Sequence, residues 1–178
     1  ESISELKGER VKKKDPTIID INITAFIPDE WVGDKEQKMI EYKRLADVTS
    51  VRELEVLRDE WTDRFGSIPD EVEKLIKIIN LRLLATDLGI NLVRETDSYM
   101  RIFSNYTFAE FRMLQNKLDP KVSGKMKWAK APMKSKNGTS VILLDISYFI
   151  KDDKLNVLEV IFNTAKNFEV CLADKPIL

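Results

Sequence analysis

The run DRFGSIPDEV, residues 63–72, decides how the first half of this chain folds. The glycine after Phe65 suits the position that follows a helix, because glycine adopts a left-handed backbone without steric penalty. Pro69 suits the start of the next helix, where its missing N–H is not needed. Asp70 and Glu71 complement the positive end of that helix dipole. The run therefore predicts a corner between two helices, with Phe65 directed to the core.

Three helices are predicted between residues 34 and 89. The first begins at Asp34 as N-cap and runs to about Ala46. Its apolar residues are Met39, Ile40, Tyr42 and Leu45. The second begins at the S-x-x-E capping box of residues 50–53, in which each side chain satisfies a free backbone N–H.

The third helix begins near Pro69 and reaches Leu88, with Gly89 as its C-terminal cap. Apolar residues follow a single stripe in its first half and surround most of its second half. The latter set is Leu81, Leu83, Leu84, Ala85 and Leu88. This distribution predicts that the second half of the helix lies at the centre of the core.

Alternating apolar and polar residues predict a strand over residues 18–26, with Ile19, Ile21, Ile23 and Ala25 on its buried face. After residue 90 the pattern twice gives two strands followed by a helix. The strands are Ile90–Glu95, Tyr99–Phe103, Lys125–Lys130 and Ser140–Ile146, and the helices begin at the Thr107 capping box and at about Asp152.

The fold class is therefore α+β: an N-terminal strand, a three-helix segment, and two ββα units that form a small antiparallel sheet. Residues 1–16 are predicted to be a helix end and a charged linker. Residues 17–178 form one domain, with a helical part at about 34–89 and a ββαββα part at about 90–170. The chain starts at a glutamate, which indicates a segment of a longer protein.

Composition excludes several classes of active site. The chain has 178 residues, no histidine and one cysteine, so Ser-His-Asp triads, histidine-ligated zinc and cysteine-ligated clusters are ruled out. The single cysteine fits a reducing cytoplasm. No glycine-rich phosphate-binding loop occurs among the six glycines. The net charge is −1, so any attraction to nucleic acid must be local.

The second helix carries the first candidate site. Its apolar side is Val51, Leu54, Leu57, Trp61 and Phe65, and its opposite side is Glu53, Glu60, Asp63 and Arg64. An exposed Val56 is predicted at helical spacing from Glu60 and Asp63. A solvated charged face would explain this pattern. A docking surface for an arginine-bearing partner would also explain it, since carboxylates in a last turn oppose the helix dipole.

A second candidate is the stretch KVSGKMKWAKAPMKSK, Lys121–Lys136, with six lysines and no acid. Lysines with an interleaved aromatic residue can bind a nucleic-acid backbone, and the candidates are Lys125, Lys127, Trp128 and Lys130. A β-strand with one solvent-exposed face and one core face explains the same sequence. The acid pairs Asp29–Glu30 and Asp152–Asp153 could hold magnesium, or could be helix-start and turn residues.

Several motifs in order resemble a known family, the C-terminal domain of bacterial transcription-repair coupling factors. The family pattern is approximately IPDxYI, YKR, ELxDRFGxxP and LGI. The matching segments cover about residues 27–90 and are Ile27–Val32, Tyr42–Arg44, Glu60–Gly66 with Pro69, and Leu88–Ile90. The departures are conservative. Trp31 and Val32 occupy the positions of the family's aromatic and aliphatic pair, and Trp61 replaces the usual leucine.

This resemblance implies a parent protein that is an ATP-dependent translocase of double-stranded DNA. Such a protein pushes RNA polymerase stalled at a lesion and recruits nucleotide-excision repair through UvrA. ATP and magnesium would bind upstream domains, so this segment would hold no cofactor and perform no catalysis. Residues 1–16 would join it to the motor. The setting implied is the bacterial cytoplasm, and the segment by itself is expected to be monomeric.

The resemblance also implies a regulatory role. In the family this domain docks on an N-terminal UvrB-like module, masks the UvrA-binding surface and restrains the motor until RNA polymerase is engaged. Glu60 and Asp63 correspond to the acidic residues of the docking surface, with Val56 and Arg64 beside them. The alternative from another class is an accessory DNA-binding module that uses Lys121–Lys136.

Overall fold

The computed structural model describes residues 15–133, 135–149 and 153–173, with side chains described to residue 168. The strands are β1 Ile18–Asp20, β2 Leu92–Thr96, β3 Tyr99–Ser104, β4 Met126–Lys130 and β5 Ser140–Asp145. The helices are α1 Asp29–Val32, α2 Lys35–Ala46, α3 Val51–Phe65, α4 Asp70–Asp87, α5 Phe108–Lys117, α6 Pro120–Ser123 and α7 Lys154–Ala173. A 3₁₀ turn spans Ile146–Tyr148. Most of the predicted linker, residues 1–14, lies outside the described residues.

The strands form one sheet in the order β1-β2-β3-β5-β4. The pairs β2–β3, β3–β5 and β4–β5 are antiparallel, as the two ββα units predict. β1 pairs in parallel with β2, which makes the sheet mixed. The α+β fold class is confirmed.

The predicted N-terminal strand is shorter in the structure than the pattern suggested. Its ladder ends at Asp20, because the backbone turns at Asn22 and the N–H of Ile23 bonds the carbonyl of Ile21. The turn is held by a residue that is distant in the sequence. The ammonium of Lys154, which is 5% exposed, donates to the Asn22 carbonyl and to Glu95 at 2.7 Å.

Two hydrophobic clusters share helix α4. The larger lies between one face of the sheet and helices α4, α5 and α7. The smaller joins α1, α2, α3 and one side of α4, from Val72 to Leu83. Leu81 and Ala85 of α4 are completely buried in the larger cluster. The prediction that the second half of this helix is central to the core is therefore confirmed.

Phe65 packs against the smaller cluster, as the sequence predicted, and the Trp31 ring covers the corner. The Trp31 ring lies 5.7 Å from the Trp61 ring and 5.2 Å from the Phe65 ring, centroid to centroid. Its indole N–H donates to the carbonyl of Ser67 at 3.0 Å, across the bend. The turn of helix that carries Trp31 was not predicted, and it places this ring over the corner.

The helix starts follow the predicted caps, with one shift. Asp34 accepts from the N–H of Gln37 at 2.7 Å, and both bonds of the Thr107–Glu110 capping box are present. Ser50 accepts from the N–H of Glu53 at 3.1 Å. The Glu53 carboxylate, however, accepts from the N–H of Thr49 at 2.9 Å, one residue before the position that a capping box requires.

The buried side of α2 does not coincide with all of its apolar residues. Met39 is 68% exposed and Ile40 is 52% exposed, whereas Glu41 and Leu45 are buried. Apolar residues occur on more than one side of this helix, so helical spacing alone could not identify the face that packs. The face is chosen by the hydrogen bonds that the Glu41 carboxylate makes within the domain. In α3, Val51 at the end of the predicted apolar side is also exposed.

The loop between β4 and β5 approaches the end of β3 closely. A Cβ atom added to Gly138 would overlap the carbonyl oxygen of Ser104, and the glycine has φ of +125°. The loop is fixed there because the Asn91 amide donates to the Asn137 carbonyl at 2.6 Å and the N–H of Thr139 donates to Asn105 at 3.0 Å.

Gly138→Ala should therefore lower the free energy of unfolding by more than a positive φ alone does. Gly33→Ala is the matched control, since Gly33 has φ of +104° and open space around its Cα. We expect about 1–3 kcal/mol for the control and a larger loss for Gly138→Ala, measured by urea denaturation. Equal losses in the two variants would show that the contact with Ser104 is unimportant.

Candidate functional site

A buried carboxylate joins α2 to α3. The Glu41 side chain has no exposed surface, and it accepts hydrogen bonds from the Trp61 indole at 2.7 Å, the Gln37 amide at 2.6 Å and the Arg44 guanidinium at 3.0 Å. Its partners satisfy both oxygens, which a buried carboxylate requires. Glu41 was not among the residues predicted from the sequence. The available signal was Trp61, because a buried indole N–H needs an acceptor.

Glu60 belongs to the same network. Its carboxylate bonds the Arg44 guanidinium and lies 3.4 Å from the Arg64 guanidinium, which is itself 3.6 Å from Glu41. The hydrogen bond from Arg44 lowers the pKa of Glu60, and Arg64 acts in the same direction. Two arginines thus compensate for an acid near the C-terminal end of α3. The fold accounts for Glu60, which the sequence alone left unexplained.

The remaining α3 candidates lie on the surface beside this network. Val56 is 61% exposed, and Asp63 is exposed without a hydrogen bond or ion pair to any described residue. Arg64 lies over the Phe65 ring, with its guanidinium carbon 4.8 Å from the centroid. Val56, Glu60 and Asp63 share one side of α3, as their spacing predicts. We call Val56, Glu60, Asp63 and Arg64 the α3 surface; its binding role stays a prediction.

An open groove adjoins the α3 surface. Its volume is about 390 Å³, and its lining is mainly apolar with two cationic side chains. The lining residues are Arg44, Val48, Ser50, Arg52, Glu53, Val56 and Leu57. Arg44 therefore has two roles, since it lines the groove and also fixes Glu41 and Glu60. The groove and the α3 surface are held by the same contacts.

The basic stretch Lys121–Lys136 is divided between the two sides of β4. Lys127 is exposed on one side, and Trp128 and Lys130 lie on the other, next to buried Met126.

The contacts of Trp128 and Lys125 are internal. The Trp128 indole donates to the Tyr106 carbonyl at 2.9 Å, and its ring meets Phe108 edge-on at 5.6 Å. The Lys125 ammonium is 3.6 Å from the Tyr148 ring centroid. The structure does not gather these residues into one basic site, and Lys134 lies outside the described residues.

The two candidate magnesium pairs have local roles where they are described. Asp29 pairs with Lys38 at 2.8 Å in the first turn of α1, and the hydrogen bond from Lys38 lowers the pKa of Asp29. Glu30 is exposed beside it, Asp153 immediately precedes α7, and Asp152 lies outside the described residues. Across the described residues, no three acidic or cysteine side chains group as metal ligands, and no helix is long and apolar enough to cross a membrane.

Glu41→Ala should reduce the free energy of unfolding by about 3–5 kcal/mol, because it leaves the Trp61 indole and nearby guanidinium groups without their acceptor. Urea denaturation followed by tryptophan fluorescence measures the loss. Glu36→Ala, which removes an exposed acid from the same helix, should cost less than about 0.5 kcal/mol. A small effect of Glu41→Ala would mean that the network does not hold α2 to α3.

Glu60→Gln should be destabilising at pH 7 and progressively less so in acid. A pKa lowered by folding adds stability above the unfolded value of about 4.3, and this contribution is lost as pH falls through the folded pKa. Urea denaturation between pH 7 and pH 3 should show the wild-type and variant curves converging. Glu55→Gln, an exposed position on the same helix without a described partner, should stay within about 0.5 kcal/mol of wild type at pH 7.

Comparisons with known proteins agree with this architecture. The transcription-repair-coupling factor of Bacillus subtilis (strain 168) is 34% identical over 103 residues, which is 57% of this chain and 9% of that protein. That of Rickettsia typhi is 35% identical over 109 residues, 59% of this chain and 10% of that protein. The chain thus matches about a tenth of the length of these curated relatives.

The fold has a close counterpart among solved structures. The crystal structure of the C-terminal domain of transcription-repair coupling factor superimposes with a TM-score of 0.73 at 19% identity, covering 93% of this chain and 99% of that one. The family model described as TRCF domain matches residues 21–114, which is more than half of the chain. This segment contains the buried network and the α3 surface, and the chain therefore belongs to the TRCF domain family.

Proposed function

We propose that this domain is a non-catalytic regulatory module of a transcription-repair coupling factor. In this proposal the whole protein is an ATP-dependent translocase of double-stranded DNA that acts on stalled RNA polymerase and recruits nucleotide-excision repair through UvrA. ATP and magnesium bind upstream domains, and this domain binds no cofactor. The protein works in the bacterial cytoplasm, and the domain is monomeric. Membership of the TRCF domain family supports the proposal.

The regulatory contact is assigned to the α3 surface. It docks on the N-terminal UvrB-like module of the same protein, masks the UvrA-binding surface and restrains the motor until RNA polymerase is engaged. The observation that carries this assignment is Asp63, an exposed carboxylate without a described partner next to an exposed valine. A basic partner residue would satisfy Asp63, and an apolar one would cover Val56.

The network beneath the α3 surface reduces the side-chain entropy that is lost when a partner docks. Arg44 and Arg64 already hold Glu60, and Arg64 is further fixed over the Phe65 ring. A partner therefore meets charged side chains that need little further ordering, which favours binding. Release requires only that RNA polymerase or UvrA favour the undocked state by a few kcal/mol.

Asp63→Arg in the full-length protein should open this contact. Since a like charge then faces the basic partner, UvrA binding and polymerase-independent ATPase activity should both rise, by about 10-fold if the lost pair contributes about 1.4 kcal/mol. Asp63 is preferred to Glu60 for this test, because changing Glu60 also disturbs the internal network. Val56→Asp should act in the same direction.

Glu55→Arg is the matched control, since it makes the same charge change at an exposed site on α3 about 80° around the helix from Asp63. It should leave both activities at wild-type levels. If Asp63→Arg and Val56→Asp also leave them unchanged while the domain stays folded, the α3 surface is not the regulatory contact.

A further inference from the structure

The sheet has one face against which none of the described helices packs its core residues. Along β3, Met100 and Ile102 are buried in the core shared with α4, α5 and α7. The alternate residues Tyr99, Arg101 and Phe103 are only partly buried, and they lie on the opposite face. At the Phe103 end of that face the neighbouring Leu92 and Val141 are buried, so the accessible part is the end with Tyr99 and Arg101. We call this second side the open face.

A row of cationic residues crosses the open face. Arg94 on β2 lies directly opposite Arg101 on β3, which lies opposite Leu143 on β5, which in turn lies opposite Lys127 on β4. The four residues share one face because paired residues of neighbouring strands do. At about 4.8 Å per strand, the row extends over about 14 Å.

The fold neutralises only part of this charge. Asp145 lies opposite Tyr99 on the same face, and its pKa is lowered by hydrogen bonds from Ser147 and by the nearby charges of Lys125 and Lys127.

Arg94 pairs with Asp20 at 2.9 Å, but both side chains are about half exposed and such a pair is weak. Arg101 donates through Nε to the Thr96 hydroxyl at 2.6 Å and makes no ion pair with a described residue, and neither does Lys127. Two arginines placed directly opposite each other destabilise a sheet. An anionic ligand between the strands would relieve that repulsion.

Aromatic rings flank the row. Tyr99 and Phe103 lie two residues before and two residues after Arg101 on β3, and so share its face. At the end of the row near β4, Tyr148 is 66% exposed, with the Lys125 ammonium against its ring. Aromatic side chains on an open sheet are platforms for unstacked bases, while neighbouring cations contact the phosphates.

We propose that the open face binds single-stranded nucleic acid, with Arg94, Arg101 and Lys127 on the phosphates and Tyr99 under a base. Single strands are favoured over duplex because a ring on a flat sheet can stack only on a base that is already unpaired. They are favoured over an acidic peptide because nucleic-acid bases stack on the aromatic rings while the phosphates contact the cations. The site is separate from the α3 surface. Two of its three cations, Arg94 and Arg101, lie outside the basic stretch Lys121–Lys136.

Fluorescence anisotropy with the 178-residue chain and labelled (dT)20 tests this proposal. We expect micromolar binding at 50 mM salt. Three phosphate contacts predict a salt slope of about −2, so binding should weaken about 20-fold at 200 mM salt. The double variant Arg101→Gln, Lys127→Gln removes two contacts and should reduce the slope to about −0.7 and the affinity at 50 mM salt at least about 10-fold.

Two further variants separate charge from stacking. Lys130→Gln removes a cation from the other side of the same strand, and its affinity should remain within about 2-fold of wild type. Tyr99→Leu should weaken (dT)20 binding about 5-fold or more without changing the salt slope. Circular dichroism of each variant verifies that the sheet is intact.

Several results would overturn the proposal. Absence of (dT)20 binding at 50 mM salt would remove it, as would an equal loss from Lys130→Gln and the double variant. Duplex DNA of the same length bound as tightly as (dT)20 would assign the face to a phosphate backbone rather than to a single strand. Displacement of (dT)20 by poly-glutamate as effectively as by unlabelled (dT)20 would assign it to an acidic protein.

Discussion

The helical half of this domain depends on one buried carboxylate. Removing Glu41 from water is costly, and the cost is offset only because Trp61, Gln37 and Arg44 all donate to it. The same contacts hold α2 against α3. Arg44 also donates a hydrogen bond to Glu60, which lies nearer the surface. The position of Glu60 on the α3 surface therefore depends on the buried contacts of Glu41 and Arg44.

Helix α4 links this network to the sheet. Val72, Ile76 and Leu83 on one side of this helix pack in the smaller cluster, and Leu81, Leu84 and Ala85 pack in the larger one. Arg58 of α3 and Glu73 of α4 add an ion pair between the helices. The two proposed sites thus belong to one framework but differ in chemistry: an acidic and apolar helix surface, and a basic and aromatic sheet face. The net charge of −1 does not reveal these two surfaces, because the acidic residues of one and the basic residues of the other cancel in the sum.

Much of the fold could be predicted because its determinants are local. The Asp34 and Thr107 caps, the corner at residues 63–72 and the two antiparallel hairpins each depend on residues close together in the chain. The spacing of Val56, Glu60 and Asp63 along one helix likewise placed the α3 surface correctly on one side. Family membership followed from ordered motifs within the first half.

The sequence by itself thus determined the five longer helices, the hairpins, the α+β class and the shared side of the α3 surface. The tertiary structure decided which side of α2 is buried, that Glu60 is internally paired, that β1 joins in parallel, and that Arg94, Arg101 and Lys127 form one row. The physical reason is distance along the chain. Capping and periodicity act over about four residues, whereas burial of a carboxylate and register between strands depend on partners that only folding brings together.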